Sequence, residues 1–372
     1  MSHGTSDELQ ARVTGLLGGP NVMGNSPAFW AGLAVAVALL AALPVLFGYY
    51  AAEIGSVFLA YALLAMSLAF IWGYCGILSF GQVAFFGIGG YAFGIVAINV
   101  STMGGLTLGL VTALVVSTLF AAMLGYFMFY GGVRDVYVTI LTLVVALVLH
   151  TFMGQTAGGE WAVGDARLGG FNGMNGVPDL GIGVGLIGYE FGIAAHYYVT
   201  LGAVVATYLG LRVLLNSRFG YAIVATREDE TRTEMFGYDT TFIKFAVFTI
   251  GGAIAGLSGV LFTTQNNYID PSVFGITAAA LPVVWASVGG RTSLLGTVGA
   301  ALAIQFLDYR LAISGSEWAL VVIGSLLVFV VLVIPEGIAP GLHDLVVSRR
   351  SRSTSAESPG SDGGANAEEV SD

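Results

Sequence analysis

The chain has 372 residues, of which 56% are hydrophobic and 10% charged, and its formal net charge is −10. Soluble domains carry roughly 25% charged residues, so this composition excludes an ordinary water-facing surface. Inside a bilayer only helices or a closed barrel satisfy the backbone hydrogen bonds. Barrel strands alternate apolar and polar residues, whereas 33–43 and 326–334 are apolar on every face. We therefore predict an all-α polytopic membrane protein.

Apolar stretches follow one another along the chain, and several have the roughly 20 residues that a spanning helix needs. The stretches are 28–50, 54–72, 83–100, 106–130, 136–153, 197–215, 242–264, 278–288, 297–311 and 318–334. The segment 278–288 and the glycine-rich start of 83–100 predict half-helices or re-entrant segments, which are tolerated where they line a cavity. The sequence therefore predicts about ten passes.

The charge distribution predicts an orientation, because cationic residues concentrate on cytoplasmic loops. With both termini inside, ten passes place eleven of the thirteen Lys and Arg residues on that side and only Arg167 and Arg310 outside. We expect a cytoplasmic segment 1–27, a transmembrane domain 28–342 with an outer loop 154–196 and a cytoplasmic loop 216–241, and a disordered acidic tail 343–372. That acidic tail and the single lysine, Lys244, favour a salt-adapted prokaryote.

The cytoplasmic loop alternates apolar and charged residues. Its middle, 222–236, predicts an amphipathic helix that lies along the membrane face. Such a helix either rests on lipid headgroups or binds a partner protein, and the pattern alone leaves both interpretations open.

Two blocks of the chain, 54–153 and 242–334, each hold four predicted passes, and corresponding passes are five apart. An odd offset gives the two blocks opposite orientations. Inverted repeats with glycine-interrupted helices are typical of transporters, in which the repeat interface handles the substrate.

Four segments resemble one family. Residues 71–94, IWGYCGILSFGQVAFFGIGGYAFG, are similar to the signature of the permease subunits of ATP-binding-cassette (ABC) importers for branched-chain amino acids and urea, and the resemblance continues through 235–274, 283–300 and 330–338. It covers roughly 61–342. The resemblance implies ATP-binding subunits, a second permease subunit and an extracytoplasmic solute-binding protein as partners.

Within that family, LGGFNGMNGVPDL (168–180) and VVWASVGGR (283–291) look more like the urea-type permease of the C class, although Thr292 stands where a glycine is usual. The resemblance therefore implies urea as cargo. The alternatives are the same role for branched-chain amino acids and a stand-alone facilitative channel for a small neutral solute. Asn172 and Asn175 in this region are candidate contacts for the solute-binding protein.

The cytoplasmic loop matches the place where the family docks its ATPase through a coupling helix. The resemblance implies a coupling role for residues around a characteristic glycine, although the usual Glu-Ala-Ala opening is absent. These residues are Arg227, Glu228, Asp229, Glu230, Glu234 and Gly237.

Several chemistries are absent from the sequence. A phosphate-binding G-x-x-x-x-G-K-[ST] motif needs a lysine, and the only one, Lys244, is followed by Phe245. No nucleophile with a plausible base emerges, and the histidines and Cys75 lack paired metal-ligand spacing. We therefore expect no enzyme activity, cofactor, metal or nucleic-acid partner. Membrane lipid and a small neutral solute are the expected small partners.

An uncharged polar solute needs amide, hydroxyl and aromatic groups along its path. The candidate pathway residues are Ser79, Gln82, Tyr91, Gln265 and Trp285. Taken singly, each is also explained as a helix-end cap or a headgroup-level anchor. Two glycine-rich segments, 73–94 and 289–299, interrupt the apolar stretches, and we call them the two glycine-rich breaks. Because Ser79, Gln82 and Trp285 lie in or near them, we expect those three to form a cluster.

Overall fold

The computed structural model describes residues 18–22, 24–133, 136–185, 187–313 and 324–325. Its helices are α1 Pro27–Phe47, α2 Tyr49–Leu68 with a π-helical continuation Ala69–Tyr74, α3 Gln82–Asn99, α4 Met103–Phe129, α5 Val136–Gly154, α6 Ile193–Leu215, α7 Arg218–Glu228, α8 Glu230–Met235, α9 Thr240–Asn266, α10 Ile276–Gly289 and α11 Leu294–Ile313. Short strands β1 Ala162–Val163, β2 Ala166–Arg167, β3 Met174–Asn175, β4 Gly181–Val184, β5 Ile187–Glu190 and β6 Tyr268–Ile269 pair antiparallel as β1–β2, β3–β6 and β4–β5.

Within the described ranges, eight helices are long and apolar enough to cross a membrane. The predicted all-α polytopic class is confirmed. Helix α10 has 14 residues, a length of about 21 Å, which is short of the roughly 30 Å hydrocarbon core. The expectation of a half-helix at the start of α3 was wrong, because α3 runs unbroken for 18 residues. The predicted stretch 318–334 and the tail 343–372 lie outside the description, apart from residues 324–325.

Successive connections between spans alternate between two ends of the molecule. At one end, which we call the basic end, four connections come together: residues 73–81, 130–133, 216–239 and 290–293. There Tyr74 Oη donates to the carbonyl of Thr292 at 2.8 Å. At the opposite end, which we call the strand end because it holds the short strands, three connections come together: residues 99–103, 155–192 and 267–275. There His150 Nδ1 contacts the carbonyl of Pro271 at 2.7 Å. Which end faces the cytoplasm stays a prediction.

Small residues let the central helices pack closely. Helix α9 packs against α2, α3 and α4. A methyl group on Gly259 would overlap the backbone carbonyl of Phe86 in α3, and one on Gly256 would overlap Ser117 in α4. Close approach of this kind is how membrane helices gain packing energy without a hydrophobic driving force between them.

The packing is reciprocal between the two blocks that the sequence predicts to be repeats. The first helix of the second block, α9, packs on α3 and α4, while the first helix of the first block, α2, packs on α10 and α11. The two leading helices run in opposite directions, since α2 ends at the basic end and α9 begins there. This exchange is the arrangement that an inverted repeat produces, and it supports the predicted one.

Arg212 fastens the start of the described chain to the basic end. Its guanidinium is fully buried, donates to the carbonyl of Gly24 and to Asn25 Oδ1 at 2.8 Å each, and lies over the rings of Phe29 and Trp30. The orientation prediction counts Arg212 among the eleven cations on the cytoplasmic side, and its contacts give it a structural role there.

Candidate functional site

The two glycine-rich breaks meet at the basic end. A π-helical turn, Ala69–Tyr74, ends α2, and a methyl group on its Gly73 would overlap the carbonyl oxygen of Arg291. The Arg291 guanidinium lies 5.9 Å from the Trp72 ring centroid. Because π-helical turns often mark functional positions, this backbone contact between two irregular segments is the first component of the candidate site.

An aromatic cluster lies deeper in the helix bundle. The Tyr61 ring of α2 is 6.2 Å from Phe86, 5.3 Å from Phe262 and 5.6 Å from Trp285, between ring centroids. The four rings come from α2, α3, α9 and α10, so both predicted repeats contribute. Phe86 lies one helical turn after Gln82 in α3.

Four of the five predicted pathway residues carry a buried polar atom that has no hydrogen-bond partner in the described part of the chain. The atoms are Gln82 Nε2, Tyr91 Oη, Gln265 Oε1 and Trp285 Nε1. Buried polar groups are paired in the great majority of cases, so unpaired donors and acceptors in the bundle are available to a polar solute. All four groups are uncharged.

Gln82 illustrates the pattern. Its Oε1 lies 3.1 Å from Ser67 Oγ, while its Nε2 has no partner, and the residue is 1% exposed. Turning the amide over exchanges the two atoms and still leaves one of them unpaired. The lack of one hydrogen-bond partner therefore does not depend on which way the amide is oriented.

Ser79 behaves differently from the other four. Its hydroxyl accepts a hydrogen bond from the amide of Gly81 at 3.1 Å, just before α3 begins. This is the helix-end role that the sequence left open. No hydrogen bond between described atoms links Ser79, Gln82 and Trp285, and their grouping near the solute path stays a prediction.

Larger cavities lie elsewhere in the described chain. One of about 850 Å³ at the basic end is lined by residues 19–22, 24–26 and 28–29 together with Tyr74, Val224, Arg227 and Thr292. Another of about 370 Å³ lies between residues 75–78, which follow the π-helical turn, the start of α5 and the helices α7 and α8. Neither of these two cavities is lined by Gln82, Tyr91, Gln265 or Trp285.

Sequence reasoning missed three residues of this region. Ser67 contacts Gln82, Tyr61 is central to the aromatic cluster, and Thr263 Oγ1 is a further buried atom without a partner among the described residues. A methyl group on Gly90 of α3 would overlap that Thr263 hydroxyl. Serine, threonine and tyrosine in an apolar run give no signal by themselves, because their contacts depend on tertiary packing.

The loop predicted to dock an ATPase contains two helices, α7 and α8, and not the single helix predicted over 222–236. Asp229 separates them with an extended backbone, φ −157° and ψ 100°, and its carboxylate accepts from the amide of Arg232 at 2.9 Å. Aspartate is a preferred N-cap residue, so it begins a second helix where the amphipathic pattern predicted continuity. Gly237 follows α8 with φ +85°.

Side chains fasten this loop to the membrane helices at two places. Arg227 donates to the carbonyl of Gly73 in the π-helical turn. Lys244 at the start of α9 pairs with Glu230 at 2.6 Å, and Thr240 Oγ1 donates to Glu234 Oε1 at 2.7 Å. Glu228 pairs with Arg227 at the surface. Three of the predicted coupling residues therefore link the loop to α2 and α9.

The tip of the loop is apolar and exposed. Met235 is 82% exposed, Phe236 76% and Tyr238 53%, and the space beside Gly237 is open. Large apolar side chains clustered on a polar loop mark interaction surfaces. We call Met235, Phe236 and Tyr238 the apolar tip.

At the strand end, the motif that resembles urea permeases has a packing role. Met174 and Asn175 form β3, which pairs with Tyr268 and Ile269 of β6. Gly169, Gly173 and Gly176 have φ values of +77°, +71° and +75°, a region that glycine adopts without steric cost. The glycines thus shape turns, while Asn172 and Asn175 are exposed.

Eight apolar spans in the described part of the chain and glycine-mediated packing between them define a polytopic α-helical membrane protein. The family model described as branched-chain amino acid transport system, permease component, matches residues 50–331. The chain belongs to this family.

Curated relatives are similar over most of the chain. The high-affinity branched-chain amino acid permease protein LivM of Escherichia coli K12 is 25% identical over 314 residues, covering 77% of this chain and 69% of LivM. LivH of the same organism is 26% identical over 294 residues, covering 75% and 90%. The ribose import permease protein RbsC of Haemophilus influenzae is 27% identical over 155 residues, covering 40% and 47%. No solved structure matches the chain.

Proposed function

We propose that the chain is a permease subunit of an ABC importer and that its basic end faces the cytoplasm. The observation that carries the proposal is the α7–α8 loop, which exposes an apolar tip while Arg227 and Lys244 tie it to α2 and α9. A loop built in this way transmits movement from a protein bound outside the membrane to helices within it. ATP-binding subunits, a second permease subunit and an extracytoplasmic solute-binding protein complete the importer.

The mechanism follows from the contacts. ATP-driven closure of the ATP-binding subunits moves α7 and α8, and Arg227 carries that movement to the π-helical turn at Gly73. Gly73 in turn contacts Arg291, so the two glycine breaks shift together. Opening the bundle there exposes Gln82 Nε2 and Trp285 Nε1 to the solute. The solute passes along uncharged groups and is released readily, because no strong ionic contact holds it.

A branched-chain amino acid is the cargo that we propose. The named function of LivM and LivH supports it. The aromatic cluster of Tyr61, Phe86, Phe262 and Trp285 supports it physically, because binding sites surround an apolar side chain with aromatic groups and orient it with few polar ones. Urea has no apolar side chain, so the apolar surface of the rings would contribute less to its binding free energy.

Urea remains the second candidate, since segments 168–180 and 283–291 resemble the urea type. The first of these segments shapes turns at the strand end, and none of the four rings of the aromatic cluster lies in it. Its resemblance therefore carries less weight for cargo choice than the residues of the aromatic cluster do.

The test is uptake by the complete complex in lipid vesicles, with ATP inside and the solute-binding protein outside. We expect ATP-dependent uptake of labelled leucine and an ATPase rate that depends on loaded binding protein. Uptake of urea without leucine would reverse the cargo assignment. Equal flux through the purified chain without ATP or partners would replace the importer by a facilitative channel.

A further inference from the structure

The β4–β5 hairpin has two unlike faces. Because side chains alternate across a strand, the register Ile182 with Tyr189 and Val184 with Ile187 places these four side chains on one face. All four are exposed, between 50% and 87%. This face of the hairpin is therefore apolar and exposed.

The opposite face is made of glycine and lies flat on α4. Cross-strand partners Gly183 and Gly188 leave no room for side chains, since a Cβ on either would lie within 2.8 Å of Met103 Cβ. Thr107 Oγ1 donates to the carbonyl of Gly183 at 2.9 Å and accepts from its amide at 2.8 Å. The Gly104 amide donates to the carbonyl of Gly185 at 2.9 Å. The hairpin is thus firmly held on the first turns of α4.

The side of α4 beneath the hairpin continues as a stripe of exposed apolar side chains on a helix long enough to cross a membrane. Gly104 is followed at helical spacing by Leu108, Val111, Val115 and Leu119, all exposed and apolar. Residues three and four apart share a helix face, so the hairpin covers the strand end of this stripe. The outer face of the hairpin therefore looks in the same direction as this exposed apolar stripe.

We infer that the β4–β5 hairpin is a membrane-interface anchor, whose outer face of Ile182, Val184, Ile187 and Tyr189 enters the headgroup region of the bilayer at the strand end. Continuity with the exposed apolar stripe of α4, a helix long enough to cross a membrane, favours lipid over another subunit as the occupant. Tyrosine is enriched at this level of a membrane because its ring is amphipathic.

The backbone sets the depth of the anchor. A two-stranded hairpin keeps open edges whose amides and carbonyls need hydrogen-bond partners, and the hydrocarbon core offers none. Headgroups and interfacial water supply such partners. The side chains accordingly reach the upper acyl chains while the strands stay among the headgroups.

The test uses nitroxide labels on the full chain in lipid vesicles, with any subunits that co-purify. The only native cysteine, Cys75, is 3% exposed; changing it to alanine leaves Val184→Cys or Ile187→Cys as the single label site. Power saturation then compares contact with oxygen, which is enriched in lipid, and with a water-soluble nickel complex. Leu119→Cys in mid-span and Val163→Cys in the β1–β2 turn are lipid and water controls.

At positions 184 and 187 we expect an oxygen-to-nickel accessibility ratio between those of the two controls. A ratio equal to that of Val163→Cys would place the hairpin in water and overturn the proposal. Low accessibility to both reagents would also overturn it, because it would show that another subunit covers the face. Uptake activity does not enter the readout, so this result is independent of the proposed cargo.

Discussion

The segments that connect the spans are fastened differently at the two ends of the molecule. At the basic end, α7 and α8 are held by charged side chains, through Arg227 to the Gly73 carbonyl and through Glu230 to Lys244. At the strand end, the connections are held by backbone pairing, as between β3 and β6, and by glycine turns. Side-chain links with few partners can shift between arrangements, whereas backbone ladders fix one. The comparison predicts a moving end and a static end.

The largest expected effect comes from Gly73→Ala. The added methyl overlaps the Arg291 carbonyl, and overpacking of this kind costs about 1–3 kcal/mol in unfolding free energy. Because this contact joins the two glycine breaks, we expect uptake per folded molecule to fall at least about tenfold. Vesicle uptake and thermal unfolding measure the two quantities.

Gly173→Ala is the strand-end counterpart, because its φ is +71° and a Cβ there would crowd the Ile269 carbonyl. It should lower stability but leave uptake per folded molecule nearly unchanged. Gly210→Ala, on α6 with open space beside it, should affect neither. Equal losses of uptake in Gly73→Ala and Gly173→Ala would contradict the division into moving and static ends.

The next effect concerns partner binding. Phe236→Asp places a charge in the apolar tip, and central aromatic contacts of an interface contribute about 2 kcal/mol or more. We therefore expect the dissociation constant between the chain and the ATP-binding subunits to rise about 30-fold over that of the wild type. Phe171→Asp, at a similarly exposed position of the strand end, is the control and should retain them. Retention by both variants would remove the docking role of the tip.

A smaller effect is expected from Lys244→Ala. The pair with Glu230 is mostly buried, with side chains 15% and 31% exposed, so its loss should cost about 1–2 kcal/mol, between fully buried and surface pairs. More ATP should be hydrolysed per molecule imported, because α8 is less firmly tied to α9. Measuring both rates in vesicles gives this ratio.

Arg232→Ala removes an exposed pair with Asp229, side chains 75% and 42% exposed, and should leave the ratio unchanged. The double variant Glu230→Ala and Lys244→Ala should regain part of the stability, because no charge is then left alone. A ratio of ATP to cargo that stays at the wild-type value in Lys244→Ala would mean that this contact transmits nothing.

The sequence predicted elements better than contacts. Apolar length fixed the spans because a bilayer demands it, and glycine-rich breaks marked where helices end. Asp229 divided the predicted amphipathic helix because its capping preference competed with the pattern. The site residues divided likewise: Gln82, Tyr91, Gln265 and Trp285 carry unpaired atoms, whereas Ser79 caps its own turn. Local sequence cannot separate these cases, since the partner of a hydroxyl or amide is decided by helices far away in the chain.

The smallest expected effect tests whether unpaired interior groups differ from paired ones. Tyr91 Oη is buried without a partner within the described chain, while Tyr197 Oη, on a fully buried residue, donates to the Leu40 carbonyl at 2.7 Å. An unsatisfied buried polar group costs roughly 1–3 kcal/mol and a made hydrogen bond contributes about 1 kcal/mol. Tyr91→Phe should therefore raise the free energy of unfolding by up to about 1 kcal/mol.

The same deletion in Tyr197→Phe should lower that free energy by about 1 kcal/mol. The functional effects should also differ. Tyr91→Phe should raise the substrate concentration for half-maximal uptake, because a group available to the solute is lost. Tyr197→Phe should leave that concentration unchanged. Unfolding in mixed micelles and uptake in vesicles measure both signs. If Tyr91→Phe were destabilising and kinetically silent, its hydroxyl would have a structural partner, and the uncharged path would have to run elsewhere.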